Sequence, residues 1–532
     1  MTAATAFMLC YCFIPHPWYR PCLRFGAPPL ATRAGTMSVA LFPFVYLLGG
    51  KSNFISFFTG ISYEKLNVWH QFVGLSSFTL AIIHTIPWVY QPFTESGLKS
   101  IPSVHIKFYI TGAILLAMQA WLVLASKVQF RKLCYEAFVK MHIIIGVLFI
   151  LGMFAHFYVD TRILSYLIAS VGFIFLQTLY RMSFKTYLKP GKYFFKPRSA
   201  YIKVLPCGEA MKVTISNTEG YYWKPGQHCF LRFGNMKTSK KVQNHPFSIA
   251  SVKTNSHEND MSFIIVPGKG LTRDLFEEVK VSSQITKKCY LDGPYGGTIR
   301  DPLAFDRIFV MATGSGVTAT LPFVSHFANS LSSGKPMATK SVHFIWVIRK
   351  EVTVGWIQNE LARCKELAGD KLKIDIYLTS RNNINTTITK YKEGIITPFS
   401  DNNKDLDSEL TTKKSFETED FVFQSNALAE SIALPEKLHT KTFYDEATCY
   451  SIEPYHKLAI SSFANIYYTR PSTVELVEQC KLGPKNFIVV CGNNTFKRDI
   501  ANTIASFQKQ VLARKNGSFV QEIYLHTESF GW

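Results

Sequence analysis

The chain has 532 residues, which leaves room for about three or four domains. Its 58 lysines and arginines outnumber 37 acidic residues, for a net charge of +21. This positive charge is not gathered on a nucleic-acid-binding motif, so a nucleic-acid partner is excluded. The 11 cysteines have neither metal-ligand spacing nor the spacing of a disulfide framework.

The first third of the chain is built from apolar stretches with short loops. A membrane-spanning helix needs about 20 apolar residues, and four uncharged stretches reach or approach that length: Val68–Tyr90, Phe108–Ser126, Met141–Val159 and Ile163–Tyr180. Thr36–Gly50 is shorter and is expected to span with help from its flanks. Met1–Ile14 is shorter still and lacks the basic flank of a signal peptide, so we interpret it as the end of a first helix. The sequence predicts an all-α transmembrane bundle of about six helices over residues 1–185, with the first incomplete.

Basic residues set the expected orientation of this bundle in a membrane. They are concentrated in one loop and after the last apolar stretch: Lys127, Arg131, Lys132 and Lys140, then Arg181, Lys185, Lys189, Lys192, Lys196 and Arg198. By the positive-inside rule both regions lie in the cytosol, in contact with membrane lipids. The soluble part that follows is therefore also expected to be cytosolic.

Four histidines lie inside the predicted spans. His70 and His84 share one span, His142 and His156 share another, and both spacings are 14 residues. Fourteen residues make nearly four helical turns, so each pair faces one way and is separated by roughly 21 Å along the axis. The orientation puts His70 and His142 near the cytosol, and the other two near the outside. Two opposed imidazoles suit a haem iron, whereas the alternative is that each histidine only hydrogen-bonds between helices. Without a CxxCH motif, any haem would be b-type.

Residues 197–302 predict a small antiparallel barrel, because short strand-like runs alternate with turns. These runs are Tyr201–Leu205, Lys212–Ser216, Cys229–Phe233 and Ser262–Val266. Between them, the sequence His245-Pro246-Phe247-Ser248 can set an aromatic ring against a flavin and a hydroxyl at its edge. The alternative is an ordinary edge strand that starts at a proline.

Two glycine-containing segments complete this region. Gly268, Gly270 and Thr272 precede the helical run Asp274–Val279, where backbone amides could bind a pyrophosphate. The sequence Asp292-Gly293-Pro294-Tyr295-Gly296-Gly297 predicts a turn. Turn chemistry alone could also explain both segments.

Residues 303–532 predict a doubly wound α/β domain. The strand run Ile308–Ala312 leads into Gly314-Ser315-Gly316-Val317-Thr318 and then into the helical Ala319–Asn329, which is a phosphate-binding βα unit. Further strands are predicted at Val342–Ile348, Leu372–Thr379 and Phe487–Cys491. Cys491 and Gly492 end one of them at the edge where such sheets bind ligands. The polar segment at about 381–457 is interpreted as a long surface insertion.

Taken together, these motifs resemble the fungal ferric reductase family of the ferric reductase–NADPH oxidase superfamily. The resemblance runs from about Pro29 to Trp532 and rests on the paired histidines, ISYEKLNVWHQFVG, HPFSIAS, GSGVTA, IWVIRK, CGNN and the ending ESFGW. One departure is Thr313, which stands where many members have glycine.

The resemblance implies two b haems, FAD on the barrel and NADPH on the last domain. His70 and His142 would bind the inner haem, and His84 and His156 the outer one. Arg33 would contact the outer haem propionate or would be an interfacial arginine. The remaining implied contacts are His245, Pro246, Phe247, Ser248, Gly270 and Thr272 for FAD; Gly314, Ser315, Gly316, Val317, Thr318, Arg349, Arg470, Cys491 and Gly492 for NADPH; and Phe530 and Trp532 near the flavin and nicotinamide.

The implied function is a transmembrane metalloreductase. Electrons would pass from cytosolic NADPH through FAD and two haems to an extracellular Fe(III) or Cu(II) chelate, most simply at the plasma membrane, although a vacuolar membrane is compatible. An iron-uptake oxidase or permease, or haem-acquisition proteins, would suit such a role as partners. The alternatives are an NADPH oxidase that makes superoxide and a haem-binding or haem-uptake accessory with little turnover.

Overall fold

The computed structural model describes most of the chain apart from several loops and the central insertion. The described residues are 1–14, 29–95, 103–157, 161–185, 196–216, 218, 220–234, 236, 243–253, 260–380, 460, 462–478, 480, 482–513 and 519–528. A helical bundle comes first, an antiparallel barrel follows, and a parallel α/β domain comes last.

The bundle contains the helices α1 Thr2–Phe13, α2 Pro29–Ala40, α3 Phe42–Gly49, α4 Phe54–Thr59, α5 Tyr63–Glu95, α6 Ser103–Leu124, α7 Val128–Leu133, α8 Tyr135–His156 and α9 Thr161–Tyr180, which continues into a π-helical turn at Arg181–Lys185. Within the described part of the chain, five helical spans are long and apolar enough to cross a membrane, with α2 and α3 forming one of them. Apolar side chains such as Ile143 and Leu151 are more than half exposed, as lipid-facing residues would be.

Helix α5 begins earlier than its apolar stretch predicts. The sequence places the start at Val68, whereas the helix begins at Tyr63 and includes Glu64 and Lys65. An acidic residue in the first turn is favourable at the positive end of the helix dipole. These extra residues lie at the end of α5 that meets the barrel.

A buried polar cluster joins three helices near the middle of the bundle. The hydroxyls of Ser38 on α2 and Ser77 on α5 lie 3.0 Å apart, and Gln119 Nε2 on α6 donates to Ser77 Oγ at 3.0 Å. All three side chains are buried. A polar group in hydrocarbon is costly without a hydrogen-bond partner, so these hydrogen bonds determine how the three helices pack against one another.

The barrel consists of six antiparallel strands in the order β4-β3-β6-β1-β2-β5. They are β1 Arg198–Val204, β2 Met211–Ile215, β3 Gln227–Phe233, β4 His245–Ser248, β5 Met261–Ile265 and β6 Gln284–Gly296, with helix α10 Leu271–Ser282 before the last. The Ala250 N–H, just after β4, donates to Ser262 O on β5, which brings the two edges of the sheet together. The alternating burial of β2 shows one face packed inward, as the sequence pattern predicts.

The prediction of a turn at residues 292–297 is wrong. Strand β6 continues through this segment to Gly296 and pairs with β3 as far as Gln227. The irregularity expected of Gly293 is a bulge in β6 itself, where Gly293 and Pro294 lie opposite the single residue Cys229 of β3.

The last domain is a parallel sheet with strands in the order β10-β9-β8-β7-β11-β12 and helices on both faces. The strands are β7 Arg307–Thr313, β8 Ser341–Ile348, β9 Leu372–Leu378, β10 Asn465–Tyr467, β11 Lys485–Cys491 and β12 Glu522–Glu528; the helices are α11 Val317–Ser332, α12 Gln358–Ala368, α13 Thr473–Glu478 and α14 Asn494–Leu512. Chain order reverses between β7 and β11, and ligands bind at such switch points in open α/β sheets. The fold class agrees with the sequence prediction in all three parts.

Candidate functional site

The first histidine pair faces across the gap between α5 and α8. The ring centres of His70 and His142 lie 6.3 Å apart. Helix α5 packs on α2, α3 and α6, whereas α8 packs on α6 and α9. Two imidazoles bound to one iron would have ring centres about 6 Å apart, since metal–nitrogen bonds are about 2 Å long. The spacing therefore suits one metal between two opposed rings.

The second pair lies at the other end of the same helices. The His84 ring on α5 lies 6.3 Å from that of Trp88, and Trp88 lies 6.0 Å from Phe108, which contacts His156 on α8. His156 stacks on Phe108, with ring centres 4.1 Å apart, and meets Phe157 edge-on at 4.7 Å. The structure thus brings together the same two pairs that the sequence indicates.

Each of the four rings has a hydrogen-bond partner at Nδ1. His70 bonds Val45 O at 2.9 Å and His84 bonds Ala31 O at 2.7 Å. Because a carbonyl only accepts, both rings carry their proton on Nδ1 and keep a lone pair on Nε2 for a metal. The other two rings face hydroxyl groups. Thr111 Oγ1 lies 2.8 Å from His156 Nδ1, and Ser126 Oγ lies 3.4 Å from His142 Nδ1.

Glycines provide the room beside three of these rings. Gly49 lies against His70, Gly35 against His84 and Gly112 against His156. A Cβ on Gly112 would lie 3.2 Å from His156 Cε1, and one on Gly49 would lie 3.3 Å from His70 Cε1. The segments beside the histidines therefore repeat the 14-residue spacing, Gly35 with Gly49, and Gly112 with Ser126 in the turn after α6.

Polar groups suited to a propionate lie near the outer pair. Trp88 is next to His84, with ring centres 6.3 Å apart, and its indole Nε1 is buried without a hydrogen bond. Arg33 lies two residues after Ala31, the carbonyl partner of His84, and donates to Cys12 O at 3.1 Å. A buried donor without an acceptor is costly, and a haem carboxylate would satisfy it. The residues present therefore fit a haem between His84 and His156.

A metal centre built only from protein ligands is not found in the described ranges. No group of three or more His, Cys, Asp or Glu side chains converges there to hold an ion. Paired axial histidines need no such group, because the haem itself supplies four ligands. The observed donor set therefore fits haem and does not fit a bare-metal site.

The segment His245–Ser248 forms β4, an edge strand of the barrel, and all four of its residues are half-buried. His245 faces the membrane bundle, with Nε2 3.7 Å from the Glu136 carboxylate at the start of α8. Burial lowers the pKa of His245, and Glu136 partly opposes that shift. The strand leaves a partly open surface that a planar ring could cover.

The loop before α10 is open, as a phosphate site requires. Gly270 has φ +76° and a Cβ there would meet nothing within 4 Å. Thr272 Oγ1 accepts the Gly268 N–H at 2.9 Å, which leaves its own hydroxyl proton free to donate outward. There is therefore open space beside the start of α10, where the first amides of a helix have no partner within the helix.

The glycine-rich turn Gly314–Gly316 joins β7 to α11 at the switch point. A Cβ on Gly316 would collide with the backbone of Cys491 and Gly492, so the close approach of β7 and β11 requires glycine there. Gly314 has φ +52° and faces open space. Thr318 in the first turn of α11 donates to Ser315 O, and Val317 is buried. The predicted phosphate-binding unit thus has room above the turn.

Thr313 has a clear role despite its departure from the family pattern. Its Oγ1 accepts the Asn493 N–H at 3.2 Å, and its side chain fills the space beside Gly492, which has φ +155°. The threonine therefore ties the end of β7 to the start of α14.

The other residues that the sequence predicts to bind NADPH lie farther apart from one another. Arg349 follows β8 and Arg470 lies three residues after β10; both are exposed at the carboxyl edge of the sheet but on strands separated by β9. Cys491 is fully buried, and burial raises the pKa of its thiol. Phe530 and Trp532 lie outside the described residues. The last strand β12 ends at Glu528, which pairs with Cys491.

Comparison with known proteins assigns each part of the chain. Residues 34–153 match the family described as ferric reductase like transmembrane component, residues 194–299 an FAD-binding domain, and residues 305–505 the ferric reductase NAD binding domain. The chain belongs to the ferric reductase family.

Two fungal relatives and one solved structure illustrate the similarity. Ferric/cupric reductase transmembrane component 7 of Saccharomyces cerevisiae is 29% identical over 100% of this chain and 79% of its own length. The probable cell surface ferric reductase kap2 of Aspergillus oryzae is 32% identical over 69% of this chain and 50% of its own length. Ferredoxin-NADP+ reductase from Plasmodium falciparum covers 65% of this chain and 100% of its own at 13% identity and a TM-score of 0.35. The order and direction of the strands define the fold of this domain.

In this ferric reductase family member, an ion pair anchors the barrel to the bundle. Arg181, just after α9, pairs with Asp292 on β6, and Tyr295 donates to the same carboxylate at 2.6 Å. Asp292 is fully buried. Lys51 lies nearby with Nζ 3.3 Å from the Phe230 ring centre, and burial lowers its pKa to about 8 despite the attraction of Asp292.

Sequence reasoning missed several of these contacts. The glycines opposite the histidines repeat at 14 residues and could have been found by searching for that spacing on the other helices. The interface residues Arg181 and Asp292 carry no local signal, because they are 111 positions apart and meet only in the folded chain.

Proposed function

We propose that this chain is a transmembrane metalloreductase that moves electrons from cytosolic NADPH, through FAD and two b haems, to Fe(III) or Cu(II) chelates on the opposite side of the membrane. The observation that carries the proposal is the presence of two opposed histidine pairs at two depths of one bundle, directly joined to an FAD-binding barrel. The names of the fungal relatives support a metal as the electron acceptor.

The position of the barrel sets the direction of electron flow. The barrel meets α5 at Tyr63, and His70 follows only seven residues later, roughly 10 Å along the axis. His84 lies roughly 21 Å farther on. Electrons would therefore enter at His70 and His142 and leave at His84 and His156.

The protein residues would bind, orient and insulate the cofactors. The four histidines would ligate iron through Nε2, and Val45 and Ala31 would hold two of the rings by their carbonyls. The open strand β4 would hold the flavin, and the Gly314–Gly316 turn would bind the phosphates of NADPH. FAD supplies the conversion of a two-electron hydride into single electrons, and the haems supply one-electron relay. No general acid or nucleophile is needed at the metal substrate.

The plasma membrane is the proposed location, because an acceptor outside the cell would then be reduced by cytosolic NADPH. The metal chelate would be reduced near the outer pair, next to Trp88 and Phe157.

The test is a measurement on purified protein in oriented vesicles. We expect about two b haems per chain by pyridine haemochrome, with NADPH-dependent reduction of Fe(III) on the side opposite the flavin. One haem or none would contradict the proposal. A signal abolished by superoxide dismutase would favour the oxidase, and tightly bound haem without NADPH consumption would favour a haem-binding accessory.

The His84→Ala variant separates the two halves of the route. It should lose Fe(III) reduction across the membrane and the outer haem signal, because His84 is an outer ligand in this proposal. Reduction of a soluble dye directly by flavin should be unchanged. Full transmembrane reduction in this variant would overturn the paired-histidine route.

A further inference from the structure

Titratable side chains from all three domains meet at one buried junction. His228 on β3 of the barrel places Nε2 3.2 Å from the Tyr63 hydroxyl and 3.2 Å from the Glu64 carboxylate, both in the first turn of α5. The His228 side chain is only 9% exposed and that of Glu64 is 22% exposed. The junction therefore links the flavin barrel to the helix that carries His70.

The nucleotide domain contributes a second carboxylate to the junction. Glu528 at the end of β12 approaches Gly226, two residues before His228, so closely that a Cβ on Gly226 would lie 3.4 Å from its Oε1. Glu528 is itself bonded by His526 Nε2 at 2.6 Å. The charged and titratable groups that face His228 are Tyr63 and Glu64 from α5, Lys51 from the preceding loop, Asp292 and Tyr295 from β6, and Glu528 from β12.

His228 is also next to the proposed flavin surface. In the β3–β4 ladder it is paired directly with Ser248, the last residue of β4. Directly opposed residues on antiparallel strands point to the same face, with Cβ atoms about 5 Å apart. The ring therefore stands between Ser248 on one side and Glu64 on the other.

The proposed reaction needs a proton exit at this position. In the balanced overall reaction, one NADPH and two Fe(III) give one NADP⁺, two Fe(II) and one proton. The hydride brings the hydrogen nucleus into the flavin pocket, the electrons leave through the bundle, and the proton remains behind. A route that starts at a buried interface requires side chains that can accept and release it.

We propose that His228 carries this proton from the flavin pocket to Glu64, with Tyr63 holding the ring in place. One ring nitrogen accepts a proton while the other releases one, so the imidazole ends the transfer neutral in its other tautomer. The role rests on the proposed function. It makes His228 a proton-transfer residue in addition to a contact between domains.

The pKa of His228 suits a residue that passes a proton on and does not remain charged. Burial lowers the pKa of His228 to about 4; Glu528 and Asp292 act to raise it, and Lys51 acts to lower it. The ring is therefore neutral near pH 7 and returns to that state after each transfer.

The decisive variants keep the hydrogen bonds but remove proton transfer. His228→Gln retains a donor toward Glu64, and Glu64→Gln retains a partner for His228. In anaerobic stopped-flow with NADPH, we expect both to slow haem reduction at least tenfold and to change its pH profile and solvent deuterium isotope effect. Imidazole added to His228→Ala should restore the rate. The matched control is Glu278→Gln, a carboxylate on α10 that pairs with Lys287 of the same barrel at 2.5 Å.

A second readout does not depend on turnover. Infrared difference spectra of the purified protein, reduced and oxidised, should contain a carboxyl band that Glu64→Gln removes and Glu278→Gln keeps. FAD content and thermal stability of each variant establish that it is folded.

Wild-type rates and isotope effects in a folded, FAD-loaded His228→Gln would overturn the relay and leave His228 as a docking residue. Failure of imidazole to rescue His228→Ala would count against it equally. Absence of haem or of Fe(III) reduction in the wild type would instead overturn the proposed function, so the two failures are distinguishable.

Discussion

Gly35 leaves no room for a side chain beside the His84 ring. A Cβ at this position would lie 2.5 Å from His84 Nδ1 and 2.8 Å from Cε1. The same nitrogen is already held by Ala31 O, 2.7 Å away on the same helix. Helix α2 therefore confines the ring by a hydrogen bond and by close contact at once.

Gly35→Ala should push the His84 ring out of position and release the outer haem. We expect the haem content to fall from about two to about one per chain, with transmembrane Fe(III) reduction lost and flavin-linked dye reduction kept. Pyridine haemochrome assays measure the first effect. Gly172→Ala on α9 is the control, because α9 carries none of the four histidines and a Cβ there meets nothing within 4 Å. Two haems in Gly35→Ala would show that the ring can adjust.

Thr111 should orient His156 through its hydroxyl, which lies 2.8 Å from Nδ1. Loss of such an outer partner weakens metal-site affinity by about 10–100-fold. Thr111→Val should therefore lose outer haem on dilution or haem-scavenger challenge, and Thr111→Ser should restore it. Thr79→Val removes an exposed hydroxyl that only bonds Leu75 O, so it should behave as wild type. Equal haem retention in all three variants would refute an orienting role.

Arg181→Met should loosen the barrel from the bundle. It leaves the fully buried Asp292 carboxylate without its guanidinium. Breaking a buried pair costs about 3–5 kcal/mol, and the lower end applies because the Arg181 side chain is 29% exposed. Thermal unfolding should shift downward and flavin-to-haem transfer should slow, while dye reduction continues. Lys340→Met breaks an exposed pair and should change neither.

Arg349 and Arg470 should favour NADPH over NADH. Both are exposed at the carboxyl edge of the sheet, where a 2′-phosphate would lie. A guanidinium group binds phosphate through two parallel hydrogen bonds, in bidentate geometry. The double alanine variant should raise KM for NADPH by roughly tenfold or more and leave KM for NADH nearly unchanged. Steady-state dye reduction with each nucleotide measures this. An equal effect on both nucleotides would remove these residues from the phosphate site.

Asp375 should make the nucleotide domain sensitive to acid. Burial alone would raise its pKa, but hydrogen bonds from His343, Lys373 and Asn465 outweigh burial and lower the pKa to about 2. Because the folded pKa lies below the ordinary 3.8, the stabilisation is complete above about pH 4 and is lost as the pH falls toward 2. The contribution is about 2 kcal/mol. Asp375→Asn should remove this pH dependence of thermal unfolding; parallel curves for both proteins would contradict it.

Much of the architecture follows from local sequence. Apolar length determines the spans, 14-residue spacing aligns each histidine pair along its helix, and strand–glycine–helix order indicates the nucleotide fold, because each depends on residues close in the chain. The haem, FAD and NADPH roles of the site residues stay predictions, those of Arg33, Arg349 and Arg470 among them, and Phe530 and Trp532 lie outside the described residues.

Tertiary structure decided what surrounds these groups. Val45, Ala31, Thr111 and Ser126 become ring partners only when separate helices pack, and Thr313 meets Asn493 from 180 positions away. The junction of Glu64, His228 and Glu528 draws one residue from each domain. No local pattern encodes such contacts, because the free energy that favours them comes from burial across interfaces and not from propensity within one segment.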